Sequence, residues 1–116
     1  ISMINTLLGM AVDVDRRRPV LTNVTGGLSG PAIKPVALAL LWKVRQAVSI
    51  PIMGLGGIST ARDSLEFIIA GANAIQIGTA TFVQPAGAED VVAGIEEYCR
   101  SAGVSRVADL TGTMEW

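Results

Sequence analysis

Between Ile33 and Val48 the apolar residues Ile33, Val36, Ala37, Leu40, Leu41, Val44, Ala47 and Val48 return every three or four positions, while Lys34, Lys43, Arg45 and Gln46 fall between them. That period lays one apolar stripe along a helix and turns the charges to solvent, so the spacing predicts a helix here. Pro35 falls in its first turn, where a missing N–H costs least. A second helix is predicted after Thr60-Ala61-Arg62-Asp63, a capping-box-like start; Leu65, Ile68 and Ile69 form its apolar side and Gly71 closes it. A third opens at Glu89-Asp90, carries Val91, Val92, Ile95, Tyr98 and Cys99 at helical spacing, and has Arg100 near its end before Gly103.

The segments between these helices carry another pattern. Ile50-Pro51-Ile52-Met53-Gly54 and Ala74-Ile75-Gln76-Ile77 are short apolar runs ending at glycine, as expected of buried parallel strands. Ile1-Ser2-Met3-Ile4-Asn5 reads as the interior of a strand already in progress, which suggests a fragment. Between it and the first helix, Val12/Val14 and Val20/Val24 alternate around Asp13-Val14-Asp15-Arg16, predicting a small hairpin-like excursion over Leu7 to Thr25. Gly26-Gly27-Leu28-Ser29-Gly30-Pro31 is then expected to be a loop with unusual backbone angles.

Strand, loop and helix thus repeat three times. Such alternation points to an α/β fold with a parallel sheet, either an open doubly wound sheet or a piece of a (β/α)8 barrel. A complete barrel needs about 250 residues, so 116 leave room for three of its eight units.

Composition narrows the chemistry. Half of the chain is apolar and 16% is charged, rich in core-forming residues for its length. Nine basic and ten acidic residues are scattered apart from Arg16-Arg17-Arg18, which reads as a solvated loop, so no nucleic-acid partner is expected. There is no histidine, the commonest general base and metal ligand, and no metal site is expected. Cys99 is the single cysteine; its place in the last helical stripe makes it a core residue rather than a nucleophile, and a reducing, cytoplasmic setting is the natural expectation. No apolar run reaches the roughly 18 residues of a membrane span, and the amino terminus lacks a signal-peptide pattern, so a soluble protein is expected.

The distinctive residues sit where strands end: Asn5-Thr6, Gly54-Leu55-Gly56-Gly57 and Gly78-Thr79. Carboxyl ends of strands form the ligand face of α/β folds. Main-chain N–H groups approach a phosphate closely where no Cβ intervenes, so two glycine turns after consecutive strands make a credible anion cradle. Thr79-Ala80-Thr81-Phe82 would supply the short extra helix that accompanies such a site in barrels. Neither turn fits the dinucleotide fingerprint, since Ser59 holds the sixth position, and there is no Walker lysine. Asn5 offers both a donor and an acceptor to the edge of a heterocycle; the alternative is a turn-forming or cap-forming asparagine beside Thr6.

Taken in order, Ile4-Asn5-Thr6-Leu7-Leu8-Gly9-Met10-Ala11, Arg17-Arg18-Pro19-Val20-Leu21, Thr25-Gly26-Gly27-Leu28-Ser29-Gly30-Pro31-Ala32-Ile33-Lys34-Pro35, Pro51-Ile52-Met53-Gly54-Leu55-Gly56-Gly57-Ile58 and Ile75-Gln76-Ile77-Gly78-Thr79-Ala80 resemble class 1 dihydroorotate dehydrogenases, most closely the NAD-linked 1B type. The resemblance runs to about Leu110. It implies the carboxy-terminal three βα units of a (β/α)8 TIM barrel, incomplete as given, with residues 1–116 forming part of one FMN-binding domain. It further implies that Ile4, Gly30, Gly56, Gly57, Gly78 and Thr79 contact FMN, the last four around its phosphate, and that Asn5 and Thr6 bind dihydroorotate or orotate.

The family reaction, in de novo pyrimidine (UMP) biosynthesis, oxidises dihydroorotate to orotate. A base takes a proton from C5 while a hydride leaves C6 for the flavin. In the 1B type a homodimer of the catalytic subunit works with an electron-transfer subunit carrying FAD and an iron–sulfur cluster. The family's base is a cysteine on a loop earlier in the barrel, and a flavin-supporting lysine also lies earlier; neither has a counterpart here, and Cys99 stands in the wrong context to replace the base. The resemblance therefore implies no catalytic residue on this chain and no activity by itself. Two alternatives remain open: another phosphate- or FMN-binding TIM-barrel enzyme, against which Asn5-Thr6 and Gly26-Gly27-Leu28-Ser29-Gly30 count, and a non-catalytic binding fragment.

Overall fold

In the computed structural model, which describes residues 1–115, the elements run β1 (Ser2–Met3), β2 (Leu7–Met10), β3 (Val12–Asp13), β4 (Arg18–Pro19), β5 (Thr25–Leu28), α1 (Lys34–Ala47), β6 (Met53–Leu55), α2 (Ala61–Ile69), β7 (Ala74–Gln76), α3 (Ala80–Val83) and α4 (Gly87–Ala102). Short 3-10 turns occupy Pro31–Ile33 and Val107–Leu110. β1, β6 and β7 form a parallel sheet in that order, with Met3 opposite Gly54 and Gly54 opposite Ile75. Both pairings are parallel, so all three carboxyl ends face the same way.

The excursion after β1 is a two-step antiparallel arm. β2 pairs with β5, Leu7 opposite Leu28 and Met10 opposite Thr25, and β3 pairs with β4 at its tip. The tip turn is fastened by the Arg16 N–H donating to Asp13 Oδ1 at 3.0 Å, and Arg17 takes φ +52° within it.

The arm corrects one expectation. Gly26 and Gly27 belong to strand β5, and within Gly26–Pro31 only Gly30, at φ +90°, departs from ordinary backbone. Close approach explains those two glycines: a Cβ at Gly27 would strike the Thr6 side chain, and one at Gly26 would meet Leu21 Cδ1 at 2.8 Å. The second strand also starts later than expected, at Met53. The Ile52 N–H goes to Asn73 Oδ1 at 2.9 Å instead of to a ladder, and Pro51 has no N–H to give.

One face of the sheet carries the core. Gly54 is buried, and a Cβ there would come within 2.7 Å of Phe67 Cδ1 and 2.8 Å of Leu41 Cδ1. Side chains of α1 and α2 therefore rest directly on the central strand. With Ile52, Ile58, Ala37, Ala70 and Ala72 they make a closed apolar cluster, and Phe67 or Leu41 alone contributes about 2–3 kcal/mol by leaving water. The other face, with Ser2, Met53, Ala74 and Gln76, is exposed, so these strands are covered on one side rather than two.

The helices follow their caps. α2 opens with a full capping box, Thr60 Oγ1 accepting the Asp63 N–H at 3.1 Å and Asp63 Oδ2 accepting the Thr60 N–H at 2.9 Å. α4 ends on Gly103 in the left-handed region and packs on α2 where Gly94 meets Ala61. Val36 and Leu40, counted in the α1 stripe, are exposed because the sheet covers a narrower face than the stripe spans, and Cys99 is half-buried rather than in the core. Among the described residues no helix is long and apolar enough to cross a membrane.

Candidate functional site

The carboxyl ends of β1, β6 and β7 lie side by side, and each runs directly into a turn. Those turns and the segment after β5 enclose a cavity of about 730 Å³, within the size of a cofactor pocket. Ile4, Asn5 and Thr6 line it from β1, Gly56 and Gly57 from β6, Gly78 and Thr79 from β7, and Gly30 from the segment after β5. All eight residues singled out in the sequence thus meet at one cavity.

The glycines serve it in different ways. Gly56 and Gly57 take φ +118° and +77°, a region that side chains resist. A Cβ at Gly57 would stand 2.7 Å from the Lys34 main-chain nitrogen, so the β6 turn passes hard against the start of α1. Gly30, also left-handed, is buried, and its carbonyl accepts the Ile33 N–H at 3.1 Å. Gly78 has no positive φ, and a Cβ there would meet nothing within 4 Å. Its side-chain room is open space on a residue that lines the cavity.

Polar groups complete the lining. The Gly78 carbonyl accepts the Thr81 N–H at 3.0 Å and the Thr81 hydroxyl at 2.8 Å, which folds the chain into α3. Among the described residues no acceptor takes the N–H of Gly57, Gly78 or Thr79. Thr79 donates its hydroxyl to Ser29 Oγ at 2.8 Å. Asn5 Oδ1 accepts the Thr6 N–H at 2.7 Å, the local turn expected of such an asparagine, which leaves its amide group as donor. Ser59, Gln76 and Gln84 also line the cavity without having been singled out; Gln76 had a signal, as the polar residue alternating with Ile75 just before a glycine turn.

No ionisable side chain lines the cavity among the described residues. Charge lies behind it instead. Lys34, expected to point to solvent, donates to Asp63 Oδ1 at 2.6 Å and to Glu66 Oε2 at 2.9 Å. Asp63 Oδ2 accepts the Ser59 N–H and the Ser59 hydroxyl, both at 3.0 Å, besides the Thr60 N–H. Burial pushes the Asp63 carboxyl up, but Lys34 first, then Ser59 and Thr60, outweigh it and hold the group well below the usual carboxylate range. Lys34 is held above its ordinary value, by Asp63 foremost and then Glu66.

Cys99 lies on α4 and does not line the cavity. No group of three or more His, Cys, Asp or Glu residues is arranged to hold a metal among the described residues.

This arrangement has close counterparts. The family described as dihydroorotate dehydrogenase matches residues 1–99. The catalytic subunit of dihydroorotate dehydrogenase B (NAD(+)) from Trichlorobacter lovleyi is 56% identical over 115 residues, covering 99% of this chain and 38% of that protein. Its namesake from Geobacter sulfurreducens is 53% identical over 115 residues with the same coverage. The chain therefore spans 38% of the length of these curated relatives. Among solved structures, the DHODH of Eimeria tenella in complex with ferulenol superposes with a TM-score of 0.79 at 26% identity, over 97% of this chain and 30% of that one. From the match over residues 1–99, on a chain whose strand ends carry this cavity, it follows that the chain belongs to the dihydroorotate dehydrogenase family.

Proposed function

We propose that this chain is the carboxy-terminal portion of the catalytic subunit of a dihydroorotate dehydrogenase of the NAD-linked B type, and that it supplies the FMN-phosphate and substrate contacts for oxidising dihydroorotate to orotate. The observation that carries the reading is the meeting of Ile4, Asn5, Thr6, Gly30, Gly56, Gly57, Gly78 and Thr79 around one cavity at the strand ends. The three strands and their helices are then three βα units of an eight-stranded barrel, within a single FMN-binding domain.

The residues present fit FMN. Gly78 leaves open the room a Cβ would fill, and the N–H groups of Gly57, Gly78 and Thr79 have no internal acceptor, which suits a phosphate approaching the main chain. FMN, when bound, supplies the hydride acceptor. Gly56 and Gly57 hold the β6 turn back so that a phosphate has room. Ile4 and Gly30 border the flavin, and Asn5 and Thr6 present an amide donor and a hydroxyl to the carbonyl and N–H edge of the pyrimidine. Among the described residues no ionisable side chain lines the cavity and Cys99 lies outside it, so the group that takes the proton from C5 belongs elsewhere in the subunit. The family's cysteine base belongs to another part of the subunit. A homodimer of that subunit, joined in the cytoplasm by an FAD and iron–sulfur electron-transfer subunit, completes the reading.

Flavin titration tests it. The chain produced together with the rest of the subunit is expected to turn yellow with FMN and to bleach when dihydroorotate is added. Failure to take up FMN, or tight uptake and bleaching by the chain on its own, contradicts the assignment.

A further inference from the structure

Among the described residues no charged side chain lines the cavity, so this chain's grip on a phosphate rests on main-chain N–H groups and neutral side chains, whose positions must be set in advance. One carboxylate fixes several of the parts that set them. Asp63 Oδ2 accepts the N–H and hydroxyl of Ser59, both at 3.0 Å, and the N–H of Thr60 at 2.9 Å, which fastens the end of the Gly56–Gly57 turn. Through Oδ1 the same group takes the Lys34 ammonium at 2.6 Å, on the residue whose main chain abuts Gly57. Lys34 follows the Gly30–Ile33 turn, a second wall of the cavity. Asp63 is buried, and it is not among the residues that line the cavity. It therefore acts on a ligand through the walls it joins.

We propose that Asp63 is a positioning residue for the phosphate grip: its carboxylate ties the β6 turn to the start of α1, and without it the hold on the phosphate loosens while the hold on the ring persists. The inference rests on the FMN reading above. Capping of α2 alone would not produce this selectivity, because a cap stabilises the helix whichever ligand is bound.

The test compares FMN with riboflavin, which lacks the phosphate, on the full subunit stripped of flavin. Asp63→Asn keeps the shape and removes the charge. It is expected to weaken FMN about tenfold and to leave riboflavin within about twofold, so that the preference for FMN shrinks. If the variant does not fold, Lys34→Met, which removes the ammonium shared by Asp63 and Glu66 but leaves the bonds from Ser59 and Thr60 to Asp63, is expected to reduce the same preference. Equal weakening of both flavins, or an unchanged ratio, overturns the role of Asp63 while leaving the site standing. A wild-type subunit that binds riboflavin as tightly as FMN overturns the phosphate reading and this inference with it.

Discussion

Thr79 donates its hydroxyl hydrogen to the hydroxyl oxygen of Ser29 at 2.8 Å, joining the turn after β7 to the segment after β5 across fifty positions of sequence. Both residues line the cavity, so the bond fixes two of its walls against each other. Thr79→Val keeps the shape and deletes the donor. One neutral hydrogen bond is worth about 0.5–1.5 kcal/mol, or roughly a two- to tenfold loss in FMN affinity. Thr79→Ser should restore most of it, and fluorescence titration of the flavin reads both.

Gly57 and Gly78 should respond oppositely to alanine. At Gly57 the φ of +77° and the Lys34 nitrogen 2.7 Å from an added Cβ both oppose the substitution, and about 2–4 kcal/mol of stability is expected to be lost. At Gly78 an added methyl meets nothing within 4 Å. Gly78→Ala should hold or slightly raise the melting temperature, because the unfolded chain loses freedom. Yet it should weaken FMN about tenfold or more, since the methyl takes up room open to the phosphate. Calorimetry and flavin titration separate the two effects.

Acid should loosen the same region. The Asp63 carboxyl titrates below its unfolded value of about 3.9. Its contribution is therefore complete above about pH 4 and is lost as pH falls toward the folded value, because the unfolded state then takes up the proton first. Lys34, raised in the fold, contributes fully below its unfolded value near 10.4 and loses its share above it. The melting temperature should fall more steeply below pH 4 in the wild type than in Asp63→Asn, which begins lower at neutral pH.

The strand–helix repeat was legible because each helix announces itself: Pro35 in the first turn of α1, Thr60 and Asp63 at α2, Gly103 after α4. The strand-end glycines and Asn5-Thr6 meet at one cavity because the strands that carry them are parallel neighbours, an arrangement the strand–helix repeat implied. The β5 glycines misled, because Gly27 is small to admit Thr6 and not to turn the chain, and sequence does not reveal what lies across a strand. Lys34 was misjudged for the same cause. Its period places it off the apolar stripe, but its two carboxylate partners come from α2, 29 positions away in the case of Asp63. Contacts between elements leave no periodic trace.

Cys99 offers the sharpest check on where the chemistry resides. It is the one cysteine of the chain, and the resemblance to class 1 dihydroorotate dehydrogenases implies a cysteine base, yet Cys99 sits half-buried on α4, outside the cavity. Cys99→Ser is expected to leave FMN affinity, the rate of flavin bleaching by dihydroorotate and its pH dependence unchanged in the full subunit. Phe67→Ala provides the contrast: Phe67 is fully buried among Leu41, Ile52 and Ala72, and its truncation should cost about 3–5 kcal/mol. A Cys99→Ser subunit that melts like the wild type but no longer bleaches would put the proton-abstracting group on α4, and the cavity at the strand ends would then not be where the reaction takes place.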